Sequence, residues 1–228
     1  MQNQWLNKNF NNTLIIFFNG WGMDASPFKN LTIQKADLLM LYDYSNLAPP
    51  PDLQPKKLFS YTNVYIIGWS MGVWAAAISK SWLPLNSQYL LAINGTLKPI
   101  HAHYGINPKL YYKTLTHFSS NTRKKFYHNM FTSSDDFKHF LVCQPQHSLE
   151  KQKNELAQLW LNIITKPLPV PEVKFTSSLI STQDRIIPTN HQSNFWGNKT
   201  NYSLLPTGHF PFRLWKSWEE LLAYANNK

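Results

Sequence analysis

An α/β fold, with a mostly parallel central sheet and helices on both of its faces, is predicted from three observations. Short continuous apolar runs, the kind that strands buried on both sides present, alternate with helix-like stretches. The alternation breaks at a basic helical stretch, residues 98–170, and then resumes. A Gly-x-Ser-x-Gly pentapeptide, Gly68 to Gly72, sits where one apolar run meets a helix-like run. Strands alternating with helices predict a parallel sheet. A chain of 228 residues, 43% of them hydrophobic, suffices for one domain spanning 1–228 with a sizeable core.

The first strand is read at Thr13 to Asn19, TLIIFFN, and ends in Gly20-Trp21-Gly22. A helix start follows at Asp24 to Leu31, with Ser26 as N-cap and Pro27 at the first helical position. Asp37 to Tyr44 reads as the second strand, Pro49-Pro50-Pro51 as an extended bridge, and Asn63 to Ile67 as the third strand. Met71 to Trp82 predicts a helix and Gln88 to Asn94 the fourth strand. Between residues 98 and 166, Lys, His, Tyr and Phe dominate, with helical patches at Thr122 to Phe131, Ser134 to Cys143 and Leu149 to Ile164. This is the expected inserted cap, residues 98–170, closed by the linker Pro167-Leu168-Pro169-Val170-Pro171. Strand character returns at Val173 to Ser181 and at Asn201 to Leu205. Pro211 to Tyr224 reads as an amphipathic helix with Trp215, Trp218, Leu221 and Leu222 toward one side.

The net charge of +10 calls for an acidic partner, and more than half of the excess lies in the 98–166 segment. Only Arg123, Arg185 and Arg213 are arginines, which weighs against sequence-reading nucleic-acid binding, where bidentate arginine dominates. The single cysteine, Cys143, excludes an intrachain disulfide and fits a reducing compartment. No apolar run reaches the roughly 18–20 residues of a membrane span, and the start MQNQWLNKNFNN lacks a signal-type apolar run. A cytoplasmic protein without membrane association is expected.

A serine between two glycines, at a strand-to-helix junction, is the nucleophile elbow. The strained turn lifts the Ser70 hydroxyl above the sheet, and side chains at 68 or 72 would meet neighbouring backbone. Ala75, Ala76 and Ala77 let the next helix approach the sheet, with its N-terminal N–H groups aimed where negative charge develops. Such a serine needs a base, and the base an orienting acid, in the chain order Ser, Asp or Glu, His. Asp184 follows the fifth strand and His209 follows the last, which makes them acid and base. The oxyanion donors are then the amide of Met71, next to the nucleophile, and the amide of Trp21 in the first strand's exit loop. His101 and His103 are spaced like a metal pair but lack supporting carboxylates or cysteines. Neither a metal nor a cofactor is expected.

The motifs FFNGWGMD (Phe17 to Asp24), GWSMGVWAA, LLAINGT (Leu90 to Thr96), STQDRIIP and GHFPF together resemble the BioG type of pimeloyl-acyl-carrier-protein methyl ester esterase, in the α/β-hydrolase superfamily. The resemblance runs from the first strand to the last helix. It implies an enzyme that hydrolyses the methyl ester of pimeloyl-acyl carrier protein, releasing methanol, late in making the pimelate moiety of biotin. It implies the same roles for Ser70, Asp184, His209, Trp21 and Met71. Its partner would be an acyl carrier protein bearing a methyl pimeloyl chain. Carrier proteins are strongly acidic, so Arg123, Lys124, Lys125, Lys151 and Lys153 are the expected docking residues, giving orientation and on-rate. Trp21, Trp69, Phe126, Phe131 and Phe140 are expected to line the acyl channel. Two other readings stay open: a generalist carboxylesterase or thioesterase on small acyl substrates, and a catalytically idle basic binding module.

Overall fold

The computed structural model describes residues 1–9, 11–84 and 89–227. In chain order the elements are β1 (Gln2–Asn7), β2 (Thr13–Phe18), β3 (Asp37–Tyr42), α1 (Pro55–Leu58), β4 (Asn63–Trp69), α2 (Met71–Ile78) and β5 (Tyr89–Ile93). Four helices follow before the next strand: α3 (Pro108–Thr116), α4 (Ser120–Asn129), α5 (Ser134–Val142) and α6 (Leu149–Trp160). The chain ends with β6 (Ser177–Ser181), α7 (Thr189–Trp196), β7 (Asn201–Leu205) and α8 (Trp218–Asn226).

Among the described residues the sheet has seven strands in the order β1-β3-β2-β4-β5-β6-β7. β1 pairs antiparallel with β3, and every other pair is parallel. After β2 the chain builds outward through β3 and then returns to place β4 on β2's other side. That reversal opens a crevice at the carboxyl ends of β2 and β4, the place where open α/β sheets bind ligands. Left-handed backbone collects at these exits: Gly22 after β2 (φ 71°), Asp43 after β3 (φ 59°), Ser70 after β4 (φ 56°) and Asn94 after β5 (φ 45°).

Alternate side chains of the strands feed opposite faces. Ile15, Phe17, Leu38 and Met40 pack with Trp218, Leu221 and Leu222 of α8. Leu14, Ile16, Phe18, Leu39 and Leu41 pack with Trp74 and Ala75 of α2, and with Leu156 and Leu159 of α6. Both faces are thus buried, which is why these strands read as unbroken apolar runs.

Several expected boundaries shift, for local reasons. The helix expected from Asp24 is only a 3₁₀ turn, Ser26–Phe28, and Ser26 lies inside it rather than capping it. Asp24 closes an Asx turn just before it, its Oδ1 accepting from the Ser26 amide at 2.8 Å. The helix after Ser70 stops at Ile78 and gives way to a 3₁₀ turn, Lys80–Trp82. Gln88, the expected first residue of the fourth strand, lies outside the described residues. The segment expected as one helix from Pro211 breaks at Trp215, and α8 begins only where Ser217 caps it by accepting from the Glu220 amide at 3.1 Å. β1, α1, α3 and α7 are not among the elements expected from sequence: β1 is a polar, half-exposed edge strand built mostly from Gln and Asn, residues that strands disfavour or use weakly. No helix among the described residues is long and apolar enough to cross a membrane.

Candidate active site

Ser70 occupies the turn between β4 and α2, nearly buried, with φ 56° and ψ −121°. Two neighbours make this turn possible. A Cβ on Gly68 would stand 2.7 Å from Val73 Cα, and one on Gly72 would run into the carbonyl oxygens of Phe18 and Asn19. The Ser70 amide is tied to the carbonyl of Ile93 at 2.9 Å, which anchors the turn to the end of β5.

Asp184 and His209 converge on Ser70 from the loops after β6 and β7. His209 Nε2 lies 3.0 Å from Ser70 Oγ, and its Nδ1 lies 2.7 Å from Asp184 Oδ2. Both side chains are closed to solvent. Asp184 Oδ1 accepts from the amides of Ile186 (2.8 Å) and Ile187 (2.9 Å), and Oδ2 accepts from Gln192 Nε2 at 2.9 Å. Burying a carboxyl group without such donors would be costly. The His209 carbonyl is held in turn by Trp69 Nε1 (2.9 Å) and Asn94 Nδ2 (3.0 Å).

The exit loop of β2 faces the same point. The Gly20 amide donates to Asn19 Oδ1 at 2.8 Å and the Gly22 amide to Glu155 Oε2 at 3.0 Å. Between them the Trp21 amide has no protein acceptor among the described residues. Met71 is the first residue of α2, a position where an amide has no partner within its own helix. Two N–H groups are therefore available near Ser70, one from each side of the crevice. Glu155 itself is wholly buried. Burial pushes its carboxyl up to about 8, against the Tyr44 and Gly22 amides, which favour the charged form.

A cavity of about 290 Å³ opens onto Ser70 and His209, at the lower end of the volumes of small-molecule sites. Ser70, Met71, Trp21, Trp69 and His209 line it. Phe126 lines it too, from α4, with its ring 4.9 Å from that of Trp21. Phe131 and Phe140 do not reach it. They pack on each other and on Phe210, with ring centroids 5.1–5.6 Å apart, inside the core on another side. Phe131 lies just past the end of α4 and Phe140 on α5, and both side chains go to the core.

The basic residues also divide. Lys125 lines the cavity, together with Lys113 and Arg185, while Lys124 and Lys153 are exposed. Arg123 donates to the His147 carbonyl at 3.2 Å, and Lys151 pairs with Asp43 at 3.3 Å, so both already have intramolecular partners. His101 stacks on Tyr104, and among the described residues no group of three metal-ligating side chains occurs.

Four residues around the site were not singled out from sequence: Asn94, Gln152, Glu155 and Gln192. Asn94-Gly95 is a turn signal after a strand and was open to reading. The other three are ordinary helix residues, whose polarity becomes informative only once their burial is known.

Several known proteins resemble this chain. An uncharacterized Haemophilus influenzae protein is 26% identical over 209 residues, 91% of this chain and 93% of that protein. A malonyl-[acyl-carrier protein] O-methyltransferase of Bacteroides fragilis is 35% identical over 189 residues, 82% of this chain; the match spans only 37% of the methyltransferase's length. The crystal structure of BioG from Haemophilus influenzae superimposes with a TM-score of 0.86 at 24% identity, over 96% of this chain and 98% of that one. The esterase EaEST from Exiguobacterium antarcticum follows with a TM-score of 0.67 at 14% identity, over 99% and 92%. These likenesses give the α/β-hydrolase fold. The family model for the pimeloyl-ACP methyl esterase BioG matches residues 1–221. The chain therefore belongs to the BioG family of pimeloyl-ACP methyl esterases, esterases of the α/β-hydrolase fold.

Proposed function

We propose that this chain hydrolyses the methyl ester of pimeloyl-acyl carrier protein in the cytoplasm, at a late step in making the pimelate moiety of biotin. The observation that carries the reading is the line of contacts from Asp184 through His209 to Ser70, at 2.7 and 3.0 Å, in a partly apolar cavity. His209 takes the Ser70 proton as Oγ attacks the ester carbonyl, and the amides of Trp21 and Met71 hold the oxyanion. The C–O bond to the methoxy group then breaks, and His209 passes the proton to departing methanol. Water, deprotonated by His209, releases the pimeloyl chain from Ser70 as a carboxylate. Asp184 keeps the His209 proton on Nδ1 and offsets the imidazolium charge.

Residues 98–170 form the cap of this site, with Trp21, Trp69 and Phe126 along the methylene chain. The carrier's acidic surface meets exposed Lys124 and Lys153 and the cavity's Lys125. Arg123 and Lys151 belong to the same basic surface while holding their own partners. Neutralising the exposed Lys124 and Lys153, neither of which lines the cavity, separates this reading from that of a generalist esterase. Methanol release from methyl-pimeloyl carrier protein should fall, while hydrolysis of a small free ester should stay the same. Equal loss on both substrates would overturn carrier docking at these lysines.

A further inference from the structure

The oxyanion loop is not held by the sheet alone. Helix α6 makes three hydrogen bonds to two consecutive loop residues. The carbonyl of Gln152 accepts from Trp21 Nε1 at 2.9 Å, and Gln152 Nε2 donates to the Gly22 carbonyl at 2.8 Å. Glu155 Oε2 accepts from the Gly22 amide at 3.0 Å, and its Oε1 accepts from the Tyr44 amide at 3.0 Å. Both side chains are about 1% exposed. Long polar side chains are seldom buried so completely unless their partners need them.

The loop needs holding. Gly22 has φ 71°, a conformation glycine leaves as readily as it enters, so the peptides around it rotate at low cost. The Trp21 amide has no protein acceptor among the described residues, and Trp21 lines the cavity together with Ser70. A rotation at the Trp21–Gly22 peptide carries that amide's neighbours with it. Gln152 and Glu155 fix this peptide's N–H, the following carbonyl and the Trp21 ring together, three points that define one orientation.

We propose that Gln152 and Glu155 are positioning residues for the oxyanion hole, so that helix α6, part of the segment inserted between β5 and β6, completes the catalytic geometry by fixing the Trp21–Gly22 peptide. This rests on the assignment of Ser70 as nucleophile and of the Trp21 amide as an oxyanion donor. Neither residue lines the cavity, so neither is asked to touch the acyl chain. Glu155→Gln replaces one accepting oxygen by an NH₂ that faces an amide N–H. Gln152→Met keeps the side chain's length and removes its donations to the Gly22 carbonyl and to the Tyr127 hydroxyl, both at 2.8 Å.

The test uses the full chain and p-nitrophenyl butyrate, whose hydrolysis needs an activated serine and the hole but no carrier protein. Both variants should lower kcat roughly 10-fold to 100-fold, short of the 10²–10³ that follows outright loss of a donor, with KM within about threefold. A trifluoromethyl ketone places an oxyanion in the hole, and its affinity should fall by the same factor as kcat. Folded variants with unchanged kcat, or with reduced kcat and unchanged ketone affinity, overturn the proposal. Should Glu155→Gln fail to fold, Gln152→Met carries the test, since it leaves the carboxylate bonds in place. Ser70→Ala runs in parallel: persistent hydrolysis there would remove the nucleophile assignment, and the inference with it. Loss in Ser70→Ala with none in the α6 variants would remove the inference alone.

Discussion

Asn94 donates through Nδ2 to the carbonyl oxygen of His209 at 3.0 Å, joining the end of β5 to the loop after β7. The same amide group donates to Ser181 Oγ at 2.8 Å, and Asn94 Oδ1 accepts from the Ser181 amide at 2.7 Å. One fully buried side chain thus sets the distance between the loops that carry Asp184 and His209. Asn94→Gly keeps the φ of 45° accessible and removes these bonds. The unfolding free energy should fall by about 2–4 kcal/mol, since buried partners are left unsatisfied, and kcat should fall more than KM rises. Urea denaturation and steady-state kinetics on a small ester check both.

Asp184→Asn should keep the fold and cost about 10³–10⁴ in kcat, because an amide at this position turns the imidazole to the wrong tautomer. The Ile186 and Ile187 amides still donate to the remaining oxygen and hold the new side chain in place, while its NH₂ can no longer accept from Gln192 Nε2. Activity within tenfold of wild type would argue against an orienting acid at 184.

How much of this was open to reading depended on whether a residue's role is local. Ser70, Asp184 and His209 stand at strand exits that the apolar runs mark, and a fixed chain order links them, so sequence brings them within reach. The expected donors at Trp21 and Met71 follow from the same logic, because they are backbone groups. Phe131 and Phe140 went astray because periodicity separates apolar from polar faces but cannot separate core from cavity. Gln152, Glu155 and Gln192 gave no signal: each acts across more than one element, on partners that only the folded chain assembles. The helix expected from Asp24 shrank to a turn, since an Asx turn and a proline suit either.

Gly72→Ala should cost about 3 kcal/mol or more, because the new methyl has only the Phe18 and Asn19 carbonyls to meet, on backbone that cannot yield. Gly197→Ala serves as the comparison. That residue has helical φ, its Cβ would come no closer than 3.0 Å to Ser193 O, and stability should change by less than about 1 kcal/mol. Equal effects of the two, by chemical denaturation, would contradict the elbow's close packing.

Glu155 makes stability depend on pH. Burial raises its carboxyl from 4.5 to about 8 in the fold. Between these values the folded chain holds a proton that the unfolded chain has released. Its contribution is therefore full below 4.5, declines as pH rises, and is lost above about 8. Asp43, Lys151, Tyr44, Tyr111 and the Met1 ammonium share this field. The stability difference between wild type and Glu155→Gln should shrink by roughly a few kcal/mol from about pH 5 to about pH 8. A difference independent of pH, measured by urea titration, would contradict it.

The central claim is that Ser70 opens a methyl ester at the far end of a carrier-bound chain. Intact-protein mass spectrometry of methyl-pimeloyl acyl carrier protein, after incubation with wild type and with Ser70→Ala, tests it most directly. Wild type alone should strip one CH₂ unit and leave the thioester whole. An unchanged mass with wild type, loss of the whole acyl chain, or equal conversion by Ser70→Ala would contradict the account.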